Sequence, residues 1–279
     1  MNANKALFVF VTISVLTAII AISCGGKKNS ADQMPELGNK QMIVPVTQKN
    51  LLQLSDLSEQ YTCRADDCRS KGAVPDSDEP AIPKVEHSTF TDTRDSKVYK
   101  SVKINNQVWM AENLNYMVDS SWCYDNADSN CVKYGRLYSW DVARNACPAG
   151  WRLPDIANWD NMVNVVGGLR ECDDEGLCQW SVAGTKLKSK VGWDSCAGEF
   201  DSNTNDFGFS ALPGGYRNTG GHFRGVGTGG SWWSATEDEN DDDRAYSRHM
   251  RSCNGNSIVD ECTYEKNNGF SLRCVNDSD

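Results

Sequence analysis

Histidine is nearly missing from this chain, with three residues in 279, and no Cys/His set has the spacing of a zinc site, so a zinc enzyme is not expected. Positive charge is short as well: 28 Lys and Arg stand against 38 Asp and Glu, for a formal charge of -10. That argues against a nucleic-acid binder, because neutralising phosphates needs a basic face. Long apolar runs are confined to the N-terminus. Apolar residues still make up 39% of the chain, with nine Trp and nine Tyr, enough to bury a core, so global disorder is excluded. What is plentiful is cysteine, with twelve.

Lys5 precedes an apolar run of seventeen residues, Ala6 to Ile22, which ends in Ser23-Cys24 before the polar Gly25-Gly26-Lys27-Lys28. This pattern predicts a signal peptide over 1–23. A membrane-spanning helix is the alternative, since seventeen residues reaches the lower length limit, but the charge on the entering side and the cysteine at the exit favour cleavage. Ala21-Ile22-Ser23-Cys24 resembles a bacterial lipobox, with Ala21 where Leu is usual. The resemblance implies that the mature chain starts at a diacylglycerol-bearing Cys24. Gly25, rather than Asp, follows it, so nothing marks the protein for retention at an inner membrane, and an outer-membrane or cell-surface address is expected. The mature chain would have 279 minus 23, or 256, residues. An oxidising compartment suits the remaining eleven cysteines, whose odd count leaves at least one free or paired with another chain.

Residues 24–87 are polar and contain Pro35, Pro45, Pro75, Pro80 and Pro83, as expected of a tether. Within it Leu51, Leu54, Leu57 and Tyr61 have near-helical spacing, which predicts a short amphipathic helix docked on its own domain or on a partner. From Ser88 the composition shifts to Trp, Tyr and glycine clusters, and 88–276 reads as one α+β domain. Val98 to Ile104 alternates, Asn105-Asn106 turns, and Gln107 to Met110 returns, a β-hairpin signal. Trp140, Ala143 and Cys147 share one helical face. Asp155 can cap a second helix whose Trp159, Met162, Val163 and Val166 repeat at i, i+3, i+4 and i+7, ended by Gly167-Gly168. Phe207 to Val275 reads as strands of a small antiparallel sheet with long connections. Lys186, Lys188 and Lys190 alternate as on the solvated face of a strand.

Seven strings carry a family resemblance: Phe90-Thr-Asp-Thr-Arg-Asp95, Val108-Trp-Met-Ala-Glu-Asn-Leu-Asn-Tyr116, Tyr134-Gly-Arg-Leu-Tyr-Ser-Trp140, Cys147-Pro-Ala-Gly-Trp-Arg-Leu-Pro154, Phe209-Ser-Ala-Leu-Pro-Gly-Gly-Tyr-Arg217, Gly230-Ser-Trp-Trp-Ser-Ala-Thr-Glu237 and Gly269-Phe-Ser-Leu-Arg-Cys-Val275. In this order they resemble the Fibrobacter succinogenes major paralogous domain family, over residues 88–276. The resemblance implies a surface lipoprotein and assigns no activity. A more distant likeness concerns fold. Trp140-x-x-Ala143-x-x-x-Cys147, followed by Gly150 and Leu153, resembles the first helix of a C-type lectin-like domain. That implies an α+β fold of two helices and small antiparallel sheets with long disulfide-braced loops, and a bond from Cys147 to Cys274. Trp151-Arg-Leu-Pro154, Gly229-Gly-Ser-Trp232 and Gly269-Phe270 resemble the formylglycine-generating sulfatase-modifying enzymes. Those enzymes hold copper on a cysteine pair at positions where this chain has Ser234 and Glu239, which supply no soft ligand, so oxidase activity is not expected. The Glu-Pro-Asn, Gln-Pro-Asp and Trp-Asn-Asp strings of calcium-dependent lectins do not occur. Neighbouring cysteines suggest Cys63 with Cys68, Cys123 with Cys131, Cys172 with Cys178 and Cys253 with Cys262, leaving Cys196 over.

Fold alone assigns no function. Glu237 to Asp243 holds six carboxylates in seven residues, so Glu237, Asp241 and Asp243 are calcium candidates, with a solvated loop as the plainer alternative. Asp173-Asp174-Glu175 reads as an exposed disulfide loop. The glycine-rich stretch Gly214 to Gly230 beside Trp232-Trp233 makes Tyr216, Phe223, Trp232 and Trp233 candidates for stacking on a ligand. On a strand the two tryptophans face opposite ways, so at most one is expected to be wholly core on that sheet. His222 and His249 sit in no readable triad or metal set. The favoured expectation is a lipid-anchored, non-enzymatic binding or adhesion module with a polysaccharide or surface-protein partner and no cofactor beyond calcium. The alternative is a metal-assisted enzyme derived from the sulfatase-modifying fold.

Overall fold

The structure is a computed structural model that describes residues 85–174, 176–195, 203–252 and 257–277. Cys24, Cys63, Cys68, Cys196 and Cys253, with the expected signal peptide, tether and tether helix, lie outside the described residues.

Two sheets form the domain. The first has four strands: β1 (Glu86–Asp92), β2 (Lys97–Ile104), β3 (Gln107–Met110) and β14 (Val275–Asp277), in the order β1-β2-β3-β14. Its β2–β3 hairpin turns at Asn105-Asn106, with Ile104 opposite Gln107 and Asn105 in the left-handed region that asparagine tolerates. The second sheet contains β4 (Ser121–Trp122), β5 (Leu137–Tyr138), β6 (Leu169–Cys172), β7 (Cys178–Ser181), β8 (Gly214–Arg217), β9 (Phe223–Val226), β10 (Gly229–Glu237), β11 (Arg244–Arg251), β12 (Val259–Glu265) and β13 (Phe270–Ser271). Its order is β4-β5-β13-β10-β11-β12-β7-β6, with β8 pairing β10 and β9. Four short α-helices, α1 (Asp128–Tyr134), α2 (Trp140–Ala146), α3 (Ile156–Val165) and α4 (Ala183–Leu187), and a 3-10 turn at Tyr124–Asn126 complete the described elements.

This overturns the expected C-type lectin-like architecture of two helices with small antiparallel sheets. The domain is mostly β, with fourteen strands in the two sheets, and the larger sheet is mixed, because β10 runs parallel to both β13 and β8. The misreading has a physical cause. Strands β4, β5 and β13 are two residues long and are held by partners far along the chain, so they carry no readable period of two. The two expected helices do form. In α3, the Asp155 carboxylate accepts from the Asn158 backbone N–H at 2.8 Å, while Asn158 Oδ1 accepts from the Asp155 N–H at 3.0 Å. Asp155→Ala should lower stability by about 1 kcal/mol, read as a lower urea midpoint with an unchanged slope.

The lysine alternation did not mark a strand. Residues 183–187 are helical, Lys186 Nζ caps the Val166 carbonyl at 2.8 Å, and Lys188 is fully buried, its Nζ bonded to the Arg251 carbonyl and 4.5 Å from the Trp193 ring centre. A helix end turned these side chains inward.

Strand β10 lies at the centre of the domain, and its pleat feeds two cores. Trp232 packs with Trp109, Trp159, Met162, Trp180, Met250 and Val259. Trp233 packs on the other face with Tyr138, Trp140, Ala143, Phe270 and Leu272. Disulfides join Cys123 to Cys131, Cys172 to Cys178, and Cys147 to Cys274, the last spanning 127 residues and tying the end of α2 to the start of β14. Cys262 is also disulfide-bonded.

Candidate functional site

The strings that stand out in the sequence converge on a buried polar hub. Asn113 Oδ1 accepts from Trp232 Nε1 at 2.9 Å and Arg273 Nε at 2.8 Å, and its Nδ2 donates to the Tyr134 carbonyl at 2.7 Å. Gly135 next door has φ +77°, and a Cβ there would lie 2.7 Å from Asn113 Cβ, so this close approach requires glycine. Arg273 is fully buried and donates to the carbonyls of Phe209, Ser210 (2.7 Å) and Met110 (3.4 Å). Burial pulls its pKa down to about 9, which still leaves it cationic at neutral pH. Three backbone carbonyls and the Asn113 amide oxygen, with Glu112 acting from farther away, solvate this charge.

His249 is buried between two serines, with Ser231 Oγ 2.8 Å from Nδ1 and Ser247 Oγ 2.8 Å from Nε2. Because Ser247 Oγ donates to the Cys262 carbonyl at 3.0 Å, it must accept from the imidazole, which makes His249 the Nε2–H tautomer and Ser231 the donor to Nδ1. Burial, with Arg251 and Arg248 nearby, depresses its pKa to about 3. This neutral Ser–His–Ser chain is 3% exposed at the histidine and is part of the core.

Three of the four stacking candidates are corrected by the fold. Trp232 and Trp233 do face opposite ways, yet both are 0% exposed, because β10 is covered on both faces. Each indole N–H is satisfied inside, Trp233 by the Tyr138 carbonyl at 2.8 Å. Tyr216 is buried against Phe270, ring centres 6.1 Å apart. Only Phe223 is half-buried. In the acidic run, Glu237 is taken by Lys266 Nζ at 2.7 Å and Arg144 at 3.8 Å, and these cations hold its carboxyl below the usual range. Asp241 Oδ1 accepts from the Asp243 backbone N–H at 3.1 Å. Among the described residues no three His, Cys, Asp or Glu side chains gather as a metal set, so Glu237, Asp241 and Asp243 are not brought together as ligands.

Of what the fold assembles at the surface, only Phe223 was singled out from the sequence. In the β8–β9 hairpin Arg217 lies directly opposite Phe223, so both side chains stand on one face, while Tyr216 points the other way into the core. Trp122 and Tyr124 pack against this pair, Trp122 half-buried and Tyr124 buried. The Arg217 guanidinium carbon is 4.2 Å from the Trp122 ring centre, and the Tyr124 and Phe223 rings are 5.3 Å apart. Trp122, Arg217 and Phe223 are half-buried. Gly269 leaves room for the stack, since a Cβ there would make tight 3.1 Å contacts with both the Trp122 ring and Arg217 Cβ. The Cys123–Cys131 disulfide sits between the two aromatics, and Arg136 pins the segment by donating to Ser121 Oγ at 2.9 Å and the Ser121 carbonyl at 3.1 Å. Among the described residues no carboxylate or carbonyl meets the Arg217 guanidinium. A signal was available in part: Trp122-Cys123-Tyr124 puts two aromatics either side of a disulfide, where a constrained loop can present them.

Fold and surface together define a disulfide-braced, two-sheet β domain that presents a small aromatic and arginine platform. The family model described as the Fibrobacter succinogenes major domain matches residues 102–276, more than half of the chain, and the chain belongs to that family. The match begins inside β2, so β1 lies ahead of it. No curated protein and no solved structure matches the chain.

Proposed function

We propose that this is a non-enzymatic binding domain displayed on the bacterial cell envelope from a lipid anchor at Cys24, with the outer face of β8–β9 as its binding face. The observation that carries the reading is the Trp122–Arg217 stack beside Phe223, all three half-buried on a braced scaffold, with the buried Tyr124 ring behind Phe223. Aromatics with one face reachable and the other fixed lose little entropy on binding and dominate recognition surfaces. The anchor rests on the apolar leader ending in Ser23-Cys24.

Two measurements test it. Cys24→Ala should leave the precursor uncleaved before residue 24 and abolish incorporation of labelled fatty acid; unchanged processing and labelling would reject the anchor. In a binding screen against immobilised glycans and envelope proteins, folded Trp122→Ala and Phe223→Ala variants should each lose about tenfold in affinity for whatever the wild-type chain retains. Full retention by both variants would remove this face from the function.

A further inference from the structure

We propose that the Trp122–Arg217 platform takes sugar polymers bearing carboxylate groups, such as uronic-acid chains. This deepens the binding reading above and rests on it. Two features of the platform define the ligand chemistry. First, the apolar contact comes from ring surfaces on the outside of a two-stranded hairpin, Trp122 and Phe223 with Tyr124 behind them. A flat ring surface matches the C–H face of a pyranose, which presents apolar hydrogens on one side and hydroxyls around its rim. Second, one cation is built into that surface. Arg217 lies over the Trp122 ring at 4.2 Å, and a stacked guanidinium keeps its in-plane N–H groups available at its edge. Because no carboxylate of the described residues occupies that edge, the fork is open to a carboxylate supplied from outside, in the two-point geometry arginine favours.

The setting sharpens the argument. The chain as a whole is acidic, at -10, so a polyanion gains nothing from its average field and must be held by a specific contact. Gly221 and Gly269 lie close to that contact: a Cβ at Gly221 would lie 3.0 Å from Arg217 Nη2, and one at Gly269 3.1 Å from Arg217 Cβ. Arg224, directly opposite Tyr216 on the other face of the same hairpin, is exposed, and it provides an internal control of equal charge.

The experiment is affinity electrophoresis of the full chain through gels containing polygalacturonate, its methyl ester, a neutral β-glucan or polyglutamate. Polygalacturonate should retard the wild-type protein about tenfold more strongly than its methyl ester, and the difference should shrink as NaCl rises from about 50 to 500 mM. Arg217→Gln should abolish the preference for the acid form. Arg224→Gln should keep it within about twofold, and near-ultraviolet circular dichroism should confirm that both variants are folded. Equal retardation by acid and ester, or equal loss in Arg217→Gln and Arg224→Gln, overturns the proposal. Retardation by neutral glucan that depends on Trp122 also overturns it, while leaving the binding face intact. Retardation by polyglutamate as strong as by polygalacturonate rejects the sugar and leaves an acidic peptide as the ligand. No retardation by any of the four polymers rejects a glycan altogether, and the screen with envelope proteins then decides whether the face binds at all.

Discussion

Cys147→Ser with Cys274→Ser should lower the unfolding free energy by about 4 to 5 kcal/mol, since the loop this bond closes spans 127 residues and chain-entropy loss in the unfolded state grows with loop length. The bond is placed where it matters for both cores. Cys274 is buried beside Leu272 and Val275, and Cys147 follows α2, whose Trp140 donates through Nε1 to the Ser234 carbonyl at 2.7 Å. Urea unfolding of the double variant, compared with wild type without reductant, reads the effect as a lower midpoint. The same substitution at Cys172 and Cys178, six residues apart at the turn from exposed β6 to β7, should cost clearly less. Equal losses in the two double variants would reject the loop-length argument.

Arg248→Met should cost about 3 to 5 kcal/mol at neutral pH, because it removes the cation from a buried charge cluster and leaves the carboxylates behind. Arg248 is 0% exposed on β11; its Nη2 lies 2.6 Å from Asp160 Oδ1 on α3, its Nη1 lies 2.5 Å from Glu261 Oε2 on β12, and its guanidinium sits 4.9 Å from the Trp180 ring centre. One side chain therefore ties a helix to two strands. Burial already pushes the Glu261 carboxyl above its ordinary value of 4.5, with Arg248 pulling the other way. Without Arg248 the folded-state value must rise further. A carboxyl raised in the folded state contributes stability at low pH and loses it as pH climbs through the folded value. The penalty of Arg248→Met should accordingly be smaller at pH 5 than at pH 8, and adding Glu261→Gln should remove most of that pH dependence. A penalty equal at both pH values would show that Glu261 is not the group left uncompensated.

Local signals that depend on a few neighbouring residues were legible without a structure. The β2–β3 hairpin follows from alternation around Asn105-Asn106, and α3 from its apolar spacing and the Asp155 cap, because turn and cap energies are set by residues within four positions of each other. The family strings were legible too, and the structure explains why they stand out: Asn113, Tyr134, Gly135, Trp232 and Arg273 meet in one hub whose hydrogen bonds tolerate few alternatives. Prominence in sequence therefore marked the core rather than the surface. This is why Trp232 and Trp233 misled as ligand candidates: period two correctly put them on opposite faces, but only the first sheet, α2 and α3 decided that both faces are covered.

The architecture itself lay beyond local reading. A two-residue strand such as β13 exists because Phe270 pairs with Tyr138 and Ser271 with Trp232, contacts whose partners are set by the closure of the whole chain. The platform has the same origin. Trp122 and Arg217 are 95 positions apart, and their stacking depends on Gly269 leaving room beneath them. The sequence by itself determined the family, one hairpin and two helices, each written in short-range pattern. Tertiary structure decided the two-sheet fold, the burial of the conspicuous tryptophans and the arginine left open at the surface, because burial and charge pairing are properties of segments that meet only when the chain is folded.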